Sequence, residues 1–367
     1  MEAIILLFYC VLFWYLLNIF WLIVGFSKAP VFRYKQTTPK TKFTVIVPFR
    51  NEKETLPKLL HSIEKLNYPS ELFEVILMDD DSTDGWKTDN ERWKLIKNIR
   101  KTNSPKKDAI NTAIAIAKNE WIITTDADCE VPENWLATFD FCIQKEKPRM
   151  IASGVVYRTE NSILDTFQQM DLLSLQGTTI GSFGNQQAFM CNGANFCYEK
   201  SFFQELNGFE GNDLIASGDD VFLLQKAISR EVKSVHFLKS YHSVVTTKTE
   251  KTWKNLFLQR VRWASKTANY KSIYSKQLGL SVFLINLILV AMLFIFWFSK
   301  YELQLFAWFF AIKLLIDFIL LKQTSVYLKK PLRYLILCSL IYPFFSSAVV
   351  FYSFFGKYSW KGRTFKK

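Results

Sequence analysis

The sequence predicts an α/β domain that apolar helices anchor in a membrane at both ends of the chain. The observations behind this prediction are an uncharged apolar run at residues 3–26, three more apolar runs within residues 278–355, and alternating strand-like and helix-like patterns between them. An apolar run of about 20 residues is long enough to cross a bilayer. Strands that alternate with helices are typical of a mainly parallel sheet.

The composition fits a membrane protein with a folded domain. Of the 367 residues, 50% are hydrophobic and 16% are aromatic, which is too apolar for a disordered chain. The net charge is +13, and basic residues beside apolar runs are expected to face anionic lipid headgroups. We see no nucleic-acid-binding module and predict no nucleic-acid partner. The six cysteines contain no C-x-x-C spacing, which excludes c-type haem attachment and zinc ribbons.

The first predicted element is an N-terminal transmembrane anchor over residues 1–27. A cleaved signal peptide is the alternative, but the run has no basic segment before it and no small-residue cleavage site. Positive charges follow at once: Lys28, Arg33, Lys35, Lys40 and Lys42. Because such charges tend to stay in the cytoplasm, we expect an integral protein of a bacterial inner membrane in which the domain that follows the anchor lies in the cytoplasm.

The central α/β domain is predicted over residues 42–250. Residues 43–49 (FTVIVPF), 73–78 (FEVILM) and 121–125 (WIITT) have the apolar, β-branched pattern of buried strands. Leucines and isoleucines at helical spacing follow the first strand, and residues 109–117 predict a short apolar helix. A parallel sheet binds its ligands beyond the carboxyl ends of its strands, so the residues there are the candidates for chemistry.

A polar cluster follows each of these strands: PFRNE at residues 48–52, DDDSTDG at residues 79–85 and DAD at residues 126–128. The chain has no glycine-rich phosphate loop, so a bound nucleotide would need another source of positive charge. A divalent cation held by Asp126 and Asp128 would supply it. The alternatives are a solvated turn for the DAD segment and a capped turn for residues 79–84.

Two lysines and two aspartates are further candidates. Lys106 and Lys107 could contact phosphate at the start of a predicted helix, although lysines there are commonly solvent-facing. Asp219 and Asp220 precede an apolar helical run. One of these carboxylates could be a general base beside the acceptor, and a helix N-cap is the alternative.

An amphipathic interfacial helix is predicted over residues 251–277. Gln259 and Arg262 lie three residues apart in it and share a face. On the functional interpretation, Arg262 binds a diphosphate bidentately and Trp263 stacks on a sugar ring. A basic interfacial helix with a tryptophan anchor is the alternative.

Residues 278–367 predict a bundle of two to three transmembrane helices and a basic tail. Lys313 and Asp317 lie four apart in the middle run, where they are expected to neutralise each other or, alternatively, to contact a polar lipid substrate. Pro343 interrupts the last run, which could instead be a re-entrant or interfacial hairpin. The tail is basic and prefers the cytoplasm, so its side of the membrane stays open.

Together these motifs resemble those of membrane-anchored family 2 inverting glycosyltransferases. The order is the same: P-x-x-N-E, D-D-x-S-x-D, D-A-D, G-D-D at residues 218–220 and Q-x-x-R-W at residues 259–263. The resemblance implies a GT-A fold (the Rossmann-like fold of nucleotide-diphospho-sugar transferases), a nucleotide-diphosphate sugar donor, Mg²⁺ or Mn²⁺, and inversion at the anomeric carbon. It also implies nucleotide-sugar-binding residues, namely Pro48, Asn51, Glu52, Asp80, Lys107, Asp126, Gln259 and Arg262.

The resemblance assigns the remaining roles as well. Asp220 matches the catalytic base, and Asp219 stands where the family has glutamate; Asp128 and Asp126 would hold the metal. Residues expected at the acceptor are Trp263, Asn192 and Asn195, although a tight turn beside a strand explains the two asparagines equally well.

We expect single transfer to a lipid, polyprenyl-linked or glycan acceptor, with a processive polysaccharide synthase as the alternative. A non-catalytic membrane scaffold and a nucleotidyltransferase are hypotheses of other classes, and the oligomeric state is not predicted.

Overall fold

The computed structural model describes residues 2–160, 162–212, 217–295, 300–355, 358–360 and 363–365. The chain divides into two compact units. The first, which we call the α/β unit, comprises Ala29–Arg158 and Ala188–Lys248. The second, the helical unit, comprises Met1–Lys28, Thr159–Gln187 and Thr249–Lys367.

The elements of the first half of the chain are α1 (Glu2–Lys28), β1 (Phe43–Phe49), α2 (Leu56–Glu64), β2 (Phe73–Asp79), β3 (Trp93–Lys97), α3 (Pro105–Ile116), β4 (Trp121–Thr124), β5 (Cys129–Glu130), α4 (Trp135–Glu146), β6 (Met150–Ser153), β7 (Val155–Arg158) and α5 (Ile163–Gly184). Those of the second half are β8 (Phe196–Glu199), α6 (Lys200–Glu205), α7 (Asp219–Glu231), β9 (Val235–Leu238), β10 (Val245–Lys248), α8 (Trp253–Ser265), α9 (Ile273–Ile295), α10 (Lys300–Leu328), α11 (Leu335–Phe355), β11 (Tyr358–Trp360) and β12 (Arg363–Phe365).

A mixed sheet with the strand order β3-β2-β1-β4-β8-β6-β9 forms the centre of the α/β unit. β1 pairs in parallel with both β2 and β4, whereas β8 is antiparallel to its neighbours β4 and β6. The predicted strands are confirmed: β1 has the expected bounds, β2 is one residue longer and β4 one residue shorter. Their runs are almost continuously apolar because both faces of the sheet are covered.

The expected domain of residues 42–250 is not one uninterrupted unit in the structure. Residues 159–187 group with the helical unit, because α5 packs against α1 and α10. The predicted interfacial helix is also shorter than residues 251–277. α8 begins after its N-cap Thr252, whose Oγ1 accepts a hydrogen bond from Asn255 N at 3.1 Å, and it ends at Ser265.

Four helices in the described part of the chain are long and apolar enough to cross a membrane: Glu2–Lys28, Ile273–Phe294, Leu303–Leu328 and Leu335–Phe354. The N-terminal and C-terminal apolar helices therefore match the prediction. α11 continues through Pro343 as one helix, so the hairpin alternative is wrong. The sequence predicts that the first C-terminal apolar run covers residues 278–298, and the end of this run and parts of the basic tail lie outside the described residues.

The intramembrane charges are paired within the helical unit, as expected. Lys313 Nζ lies 2.6 Å from Asp317 Oδ2, and Asp317 also accepts a hydrogen bond from the Tyr15 hydroxyl of α1. Since an unpaired charge in the bilayer is costly, this pairing makes α10 compatible with a membrane and joins it to α1.

α5 makes close helix contacts through two glycines four residues apart. A Cβ built on Gly181 would lie 2.5 Å from the Leu22 carbonyl oxygen of α1, and one on Gly177 would lie 2.6 Å from Thr324 Oγ1 of α10. Small residues at this spacing let helix backbones approach closely in membrane proteins. The second half of α5 is therefore fixed between two apolar helices.

Candidate active site

The polar clusters that follow β1 and β2 are joined by hydrogen bonds at the carboxyl edge of the sheet. Arg50 Nη1 donates to the Asp80 carbonyl oxygen at 2.7 Å. Asn51 N donates to Ser82 Oγ at 3.0 Å, and Asn51 Oδ1 accepts from Thr83 N at 2.7 Å. Asn51 has a φ of 54°, a left-handed conformation that asparagine tolerates better than most residues. The structure thus brings the first two predicted motifs together.

Asp80 is buried and is held by two residues that the sequence analysis missed. Arg100 Nε lies 2.7 Å and Asn98 Nδ2 lies 2.8 Å from Asp80 Oδ1. Both follow β3, an edge strand in which Trp93 is buried and the other four residues are partly or fully exposed. The basic and amide side chains after this strand were the available signal. They give Asp80 a fixed orientation at the edge of the site.

A lysine of β10 lies between Glu52 and the third motif, the DAD segment. The Glu52 carboxylate accepts a hydrogen bond from the Thr55 hydroxyl. Lys248 Nζ lies 3.5 Å from Glu52 Oε2 and 3.8 Å from Asp128 Oδ2. Pro48 lies within β1 in register with β2. Lys248 was not predicted, and its half-exposed side chain places a positive charge between the two carboxylates.

Lys106 connects the DAD motif to the start of α7. Its Nζ lies 2.8 Å from Asp126 Oδ1 and 3.3 Å from Asp219 Oδ2. Burial alone would lower the pKa of the Lys106 ammonium group, but the negative charges of Asp126 and Asp219 outweigh burial and raise this pKa above its ordinary value. Lys106 therefore stays charged, and the motifs it joins belong to one electrostatic cluster.

Lys107, the lysine expected to bind the nucleotide, has a different environment. Its side chain is buried, and Nζ donates to the carbonyl oxygen of Asn212 and lies 5.2 Å from the centre of the Phe222 ring. The side chain is thus used within the fold. Of the two neighbouring lysines, Lys106 is the one whose ammonium group contacts the acidic cluster.

Asp219 and Asp220 occupy the first turn of α7, where the helix dipole favours negative charge. The N-cap is Gly218, with a φ of 82°. Asp220 Oδ2 accepts from Gly193 N at 2.9 Å, and Asp220 Oδ1 accepts from Val221 N at 2.7 Å. A Cβ on Gly193 would lie 3.1 Å from Asp219 Oδ2, so a residue without a side chain lets this turn approach both carboxylates.

The two asparagines of the expected acceptor segment differ in accessibility. Asn192 caps the turn, since its Oδ1 accepts from Ala194 N at 3.0 Å. Asn195 is fully buried. Its Nδ2 donates to the carbonyl oxygens of Gly154 and Ser243 at 2.8 and 2.7 Å, and its Oδ1 accepts from Trp135 Nε1 at 3.0 Å. All three of these hydrogen bonds join the Asn195 side chain to other parts of the fold.

The Q-x-x-R-W residues lie on α8, in the helical unit. Gln259 Nε2 donates to Glu250 Oε1 at 2.9 Å. The Arg260 guanidinium carbon lies 4.2 Å from the centre of the Trp263 ring, and Arg262 is half-buried. The sequence analysis did not single out Arg260, although it lies inside the motif.

Asp126 and Asp128 fit a divalent cation that also binds phosphate. Their side chains are 40% and 27% exposed, and carboxylate oxygens are preferred ligands of Mg²⁺ and Mn²⁺. Within the described residues, no group of three or more His, Cys, Asp or Glu side chains could hold a metal. Mg²⁺ is commonly held by one or two carboxylates together with water and substrate phosphates, and these two aspartates suit that arrangement.

Comparison with known proteins finds a sequence family whose model matches part of the chain. The family described as Glycosyl transferase family 2 matches residues 44–206. The probable glycosyltransferase YdaM of Bacillus subtilis is 23% identical over 239 residues, which cover 61% of this chain and 54% of that protein. A beta-monoglucosyldiacylglycerol synthase of Nostoc sp. is 26% identical over 156 residues, which cover 38% of this chain and 33% of that protein. The chain thus spans about half of the first relative and a third of the second.

A solved structure supports the fold. The mannosyltransferase PcManGT from Pyrobaculum calidifontis, in complex with GDP-Man and Mn²⁺, superposes with a TM-score of 0.56. The match covers 96% of this chain and 99% of that chain, at 18% sequence identity. The mixed sheet therefore has the GT-A-type fold that the sequence motifs implied, and the apolar helices accompany it in both structures' shared length.

Proposed function

We propose that this chain, whose residues 44–206 form a glycosyl transferase family 2 domain, transfers a sugar from a nucleotide-diphosphate donor to a lipid-linked acceptor. The observation that carries this proposal is the position of Lys106, within 2.8 Å of Asp126 and 3.3 Å of Asp219. It gathers two motifs that are far apart in the sequence. An acidic cluster with one lysine beside a parallel sheet edge suits a nucleotide diphosphate and a cation.

The nucleoside half of the donor is assigned to the edge formed after β1 and β2. Asp80, oriented by Arg100 and Asn98, offers a carboxylate to donor groups of a nucleoside. Asn51 and Glu52 line the same edge, and Lys106 and Arg262 are the cations we assign to the diphosphate. Asp126 and Asp128 would hold a Mg²⁺ or Mn²⁺ ion, which would offset the negative charge of the leaving group.

Asp220 is our candidate for the general base. It would take the proton of the acceptor hydroxyl while that oxygen attacks the anomeric carbon and the bond to the diphosphate oxygen breaks. A single displacement of this kind inverts the anomeric centre. Asp219 pairs with Lys106, whereas Asp220 is partly exposed and receives a hydrogen bond from the Gly193 turn. This difference supports Asp220 as the carboxylate nearer the acceptor.

A membrane lipid is the acceptor class that the apolar helices favour. Four helices could span a membrane, and a relative is named for the synthesis of a monoglucosyldiacylglycerol. We place the reaction at the cytoplasmic leaflet of a bacterial inner membrane, because five basic residues follow the apolar run of residues 3–26. Among the described residues, three of the apolar helices lie within residues 273–354, and we favour single transfer over polymer export because this bundle is small.

The direct test is to incubate the purified protein, in lipid vesicles with Mn²⁺, with a panel of radiolabelled UDP- and GDP-sugars and extracted lipids. We expect label in a short glycolipid. Label in an insoluble polymer would favour the processive alternative. If every donor remains unchanged, with neither transfer nor hydrolysis, the proposed function is wrong and a non-catalytic membrane scaffold is favoured.

Asp220→Asn tests the base. We expect donor binding to remain and transfer to fall by at least about 100-fold, the contribution typical of a general base. The matched control is Glu231→Gln at the other end of α7, whose carboxylate faces Arg149 at 3.6 Å and should leave transfer unchanged. Transfer by Asp220→Asn at the native rate would remove this residue from the mechanism.

A further inference from the structure

The side chain of Asp171 on α5 contacts Arg260, which lies inside the Q-x-x-R-W motif of α8. We propose that Asp171 is a positioning residue for acceptor binding: it fixes Arg260, and Arg260 in turn fixes Trp263 and Gln259. The inference rests on the proposed function, because it concerns the residues assigned there to the acceptor and the diphosphate. Asp171 itself is not expected to touch a substrate.

Three polar residues of α5 at helical spacing share a face, and each binds the segment that leads into or forms α8. Asp165 Oδ1 accepts from Thr249 Oγ1 at 2.6 Å. Gln168 pairs with the backbone of Glu250 in both directions: its Nε2 donates to the carbonyl oxygen at 3.0 Å, and its Oε1 accepts from the amide at 2.8 Å. The third residue of this face is Asp171. These contacts therefore fix the position of the segment that leads into α8.

The ion pair between Asp171 and Arg260 is the deepest of these contacts. Arg260 Nε lies 2.5 Å from Asp171 Oδ2, and the two side chains are only 6% and 7% exposed. A buried charge without its partner is strongly unfavourable. The ion pair with Asp171 therefore holds Arg260 at one position on α8.

Arg260 in turn restricts the side-chain positions of its neighbours in the motif. Its guanidinium carbon lies 4.2 Å from the centre of the Trp263 ring, a cation–π distance, and its Nη1 donates to Gln259 Oε1. Gln259 has a second anchor, since its Nε2 donates to Glu250 at 2.9 Å. Loss of Arg260 order should therefore affect Trp263 more than Gln259, and acceptor binding more than donor binding.

The other half of α5 keeps Asp171 in place relative to the apolar helices. Gly181 packs on the backbone of Leu22, and Gly177 packs on Thr324 and Leu320, at distances that leave no space for a Cβ. α5 thus connects α1 and α10 to α8. A shift of the motif would require this packing to change or the Asp171 contact to break.

The test is Asp171→Asn in the full-length protein in lipid vesicles, with steady-state kinetics for the acceptor lipid and for donor hydrolysis without acceptor. We expect the KM for the acceptor to rise about tenfold, the size of effect that a lost cation–π contact can produce, while the KM for the donor in hydrolysis changes less than about twofold. Asp171→Glu keeps the charge and should recover most of the acceptor KM. The matched control is Asp317→Asn, which also removes a carboxylate from a buried ion pair but on α10, and should leave the acceptor KM unchanged.

Arg260→Lys tests the same positioning role if Asp171→Asn fails to fold. It keeps a cation beside Asp171 but removes the planar group that stacks on Trp263, so the same rise in acceptor KM is expected in a folded protein. Native acceptor KM values in Asp171→Asn and Arg260→Lys, or an equal rise in Asp317→Asn, would overturn the positioning role while leaving the glycosyltransferase in place. A native protein that neither transfers nor hydrolyses any donor contradicts the proposed function itself.

Discussion

Asp126 and Asp128, two residues apart, differ in how firmly the protein holds them. Asp126 lies 2.8 Å from the ammonium group of Lys106, whose side chain is 20% exposed, whereas Asp128 faces Lys248 at 3.8 Å, a lysine whose side chain is 53% exposed. A weak surface contact of this kind contributes little to stability. Asp128 is therefore the residue whose removal should affect a bound cation more than the fold.

Metal removal provides a prediction at this scale. We expect EDTA to abolish sugar transfer and Mn²⁺ or Mg²⁺ to restore it. Asp128→Asn should raise the Mn²⁺ concentration for half-maximal activity by about tenfold or more, because one charged oxygen ligand is lost, with little change in the unfolding temperature. Asp89→Asn, at an exposed loop position, is the control. Full activity in EDTA would remove the cation from the mechanism.

Single residues also show how far the sequence could predict the site. The motif positions predicted which carboxylates gather, but the chain has two adjacent lysines at the start of α3. Lys107 lies three residues before Ile110 and seven before Ile114, so it shares their buried face. This helical spacing could be recognised in the sequence, and it would have favoured Lys106 as the lysine of the site. The partners Arg100 and Lys248 had no motif and could be found only from the fold.

At the scale of elements, α1 and α5 cross closely at a glycine of α1. A Cβ on Gly25 would lie 2.1 Å from the Gly181 carbonyl oxygen and 2.4 Å from Asn185 Nδ2. Both atoms belong to α5 or its cap, and the nearer one is backbone. A side chain at this position cannot be accommodated without moving one helix.

We therefore expect Gly25→Ala to destabilise the protein by about 1–3 kcal/mol, the usual cost of overpacking. Gly279→Ala is the matched control, since a Cβ there meets nothing within 4 Å and alanine is up to about 1 kcal/mol more favourable than glycine in a helix. Thermal unfolding in detergent would measure both. An unfolding temperature for Gly25→Ala equal to that of Gly279→Ala would show that the helices do not cross this closely.

β3 and α5, two elements that were not predicted, have mixed patterns of apolar and polar residues for a physical reason. β3 is an edge strand, so only part of its surface is covered and no continuous apolar run results. α5 buries polar residues such as Gln168 and Asp171, because they bind another segment of the chain, and this removes the clear apolar stripe of an amphipathic helix. The three central strands, buried on both faces, were predictable to within one residue.

At the scale of the whole molecule, the chain enters the helical unit three times, at residues 1–28, 159–187 and 249–367. The sequence predicted the first and last of these segments from their long apolar runs. It placed the middle one in the α/β domain, since α5 contains buried polar residues and no run of membrane length. Local composition thus identified the membrane spans, while the grouping of α5 with them depended on contacts far apart in the sequence.

The charges around α1 predict the orientation of the chain in the membrane. α1 is uncharged between Glu2 and Lys28, and the basic residues after it should hold the α/β unit in the cytoplasm with the N-terminus outside. In a variant without the six natural cysteines, Glu2→Cys should react with a membrane-impermeant maleimide in intact cells. Asn90→Cys, at an exposed position of the α/β unit, should react only after the cells are permeabilised. Labelling of Asn90→Cys but not Glu2→Cys in intact cells would place the α/β unit outside and reverse the proposed site of sugar transfer.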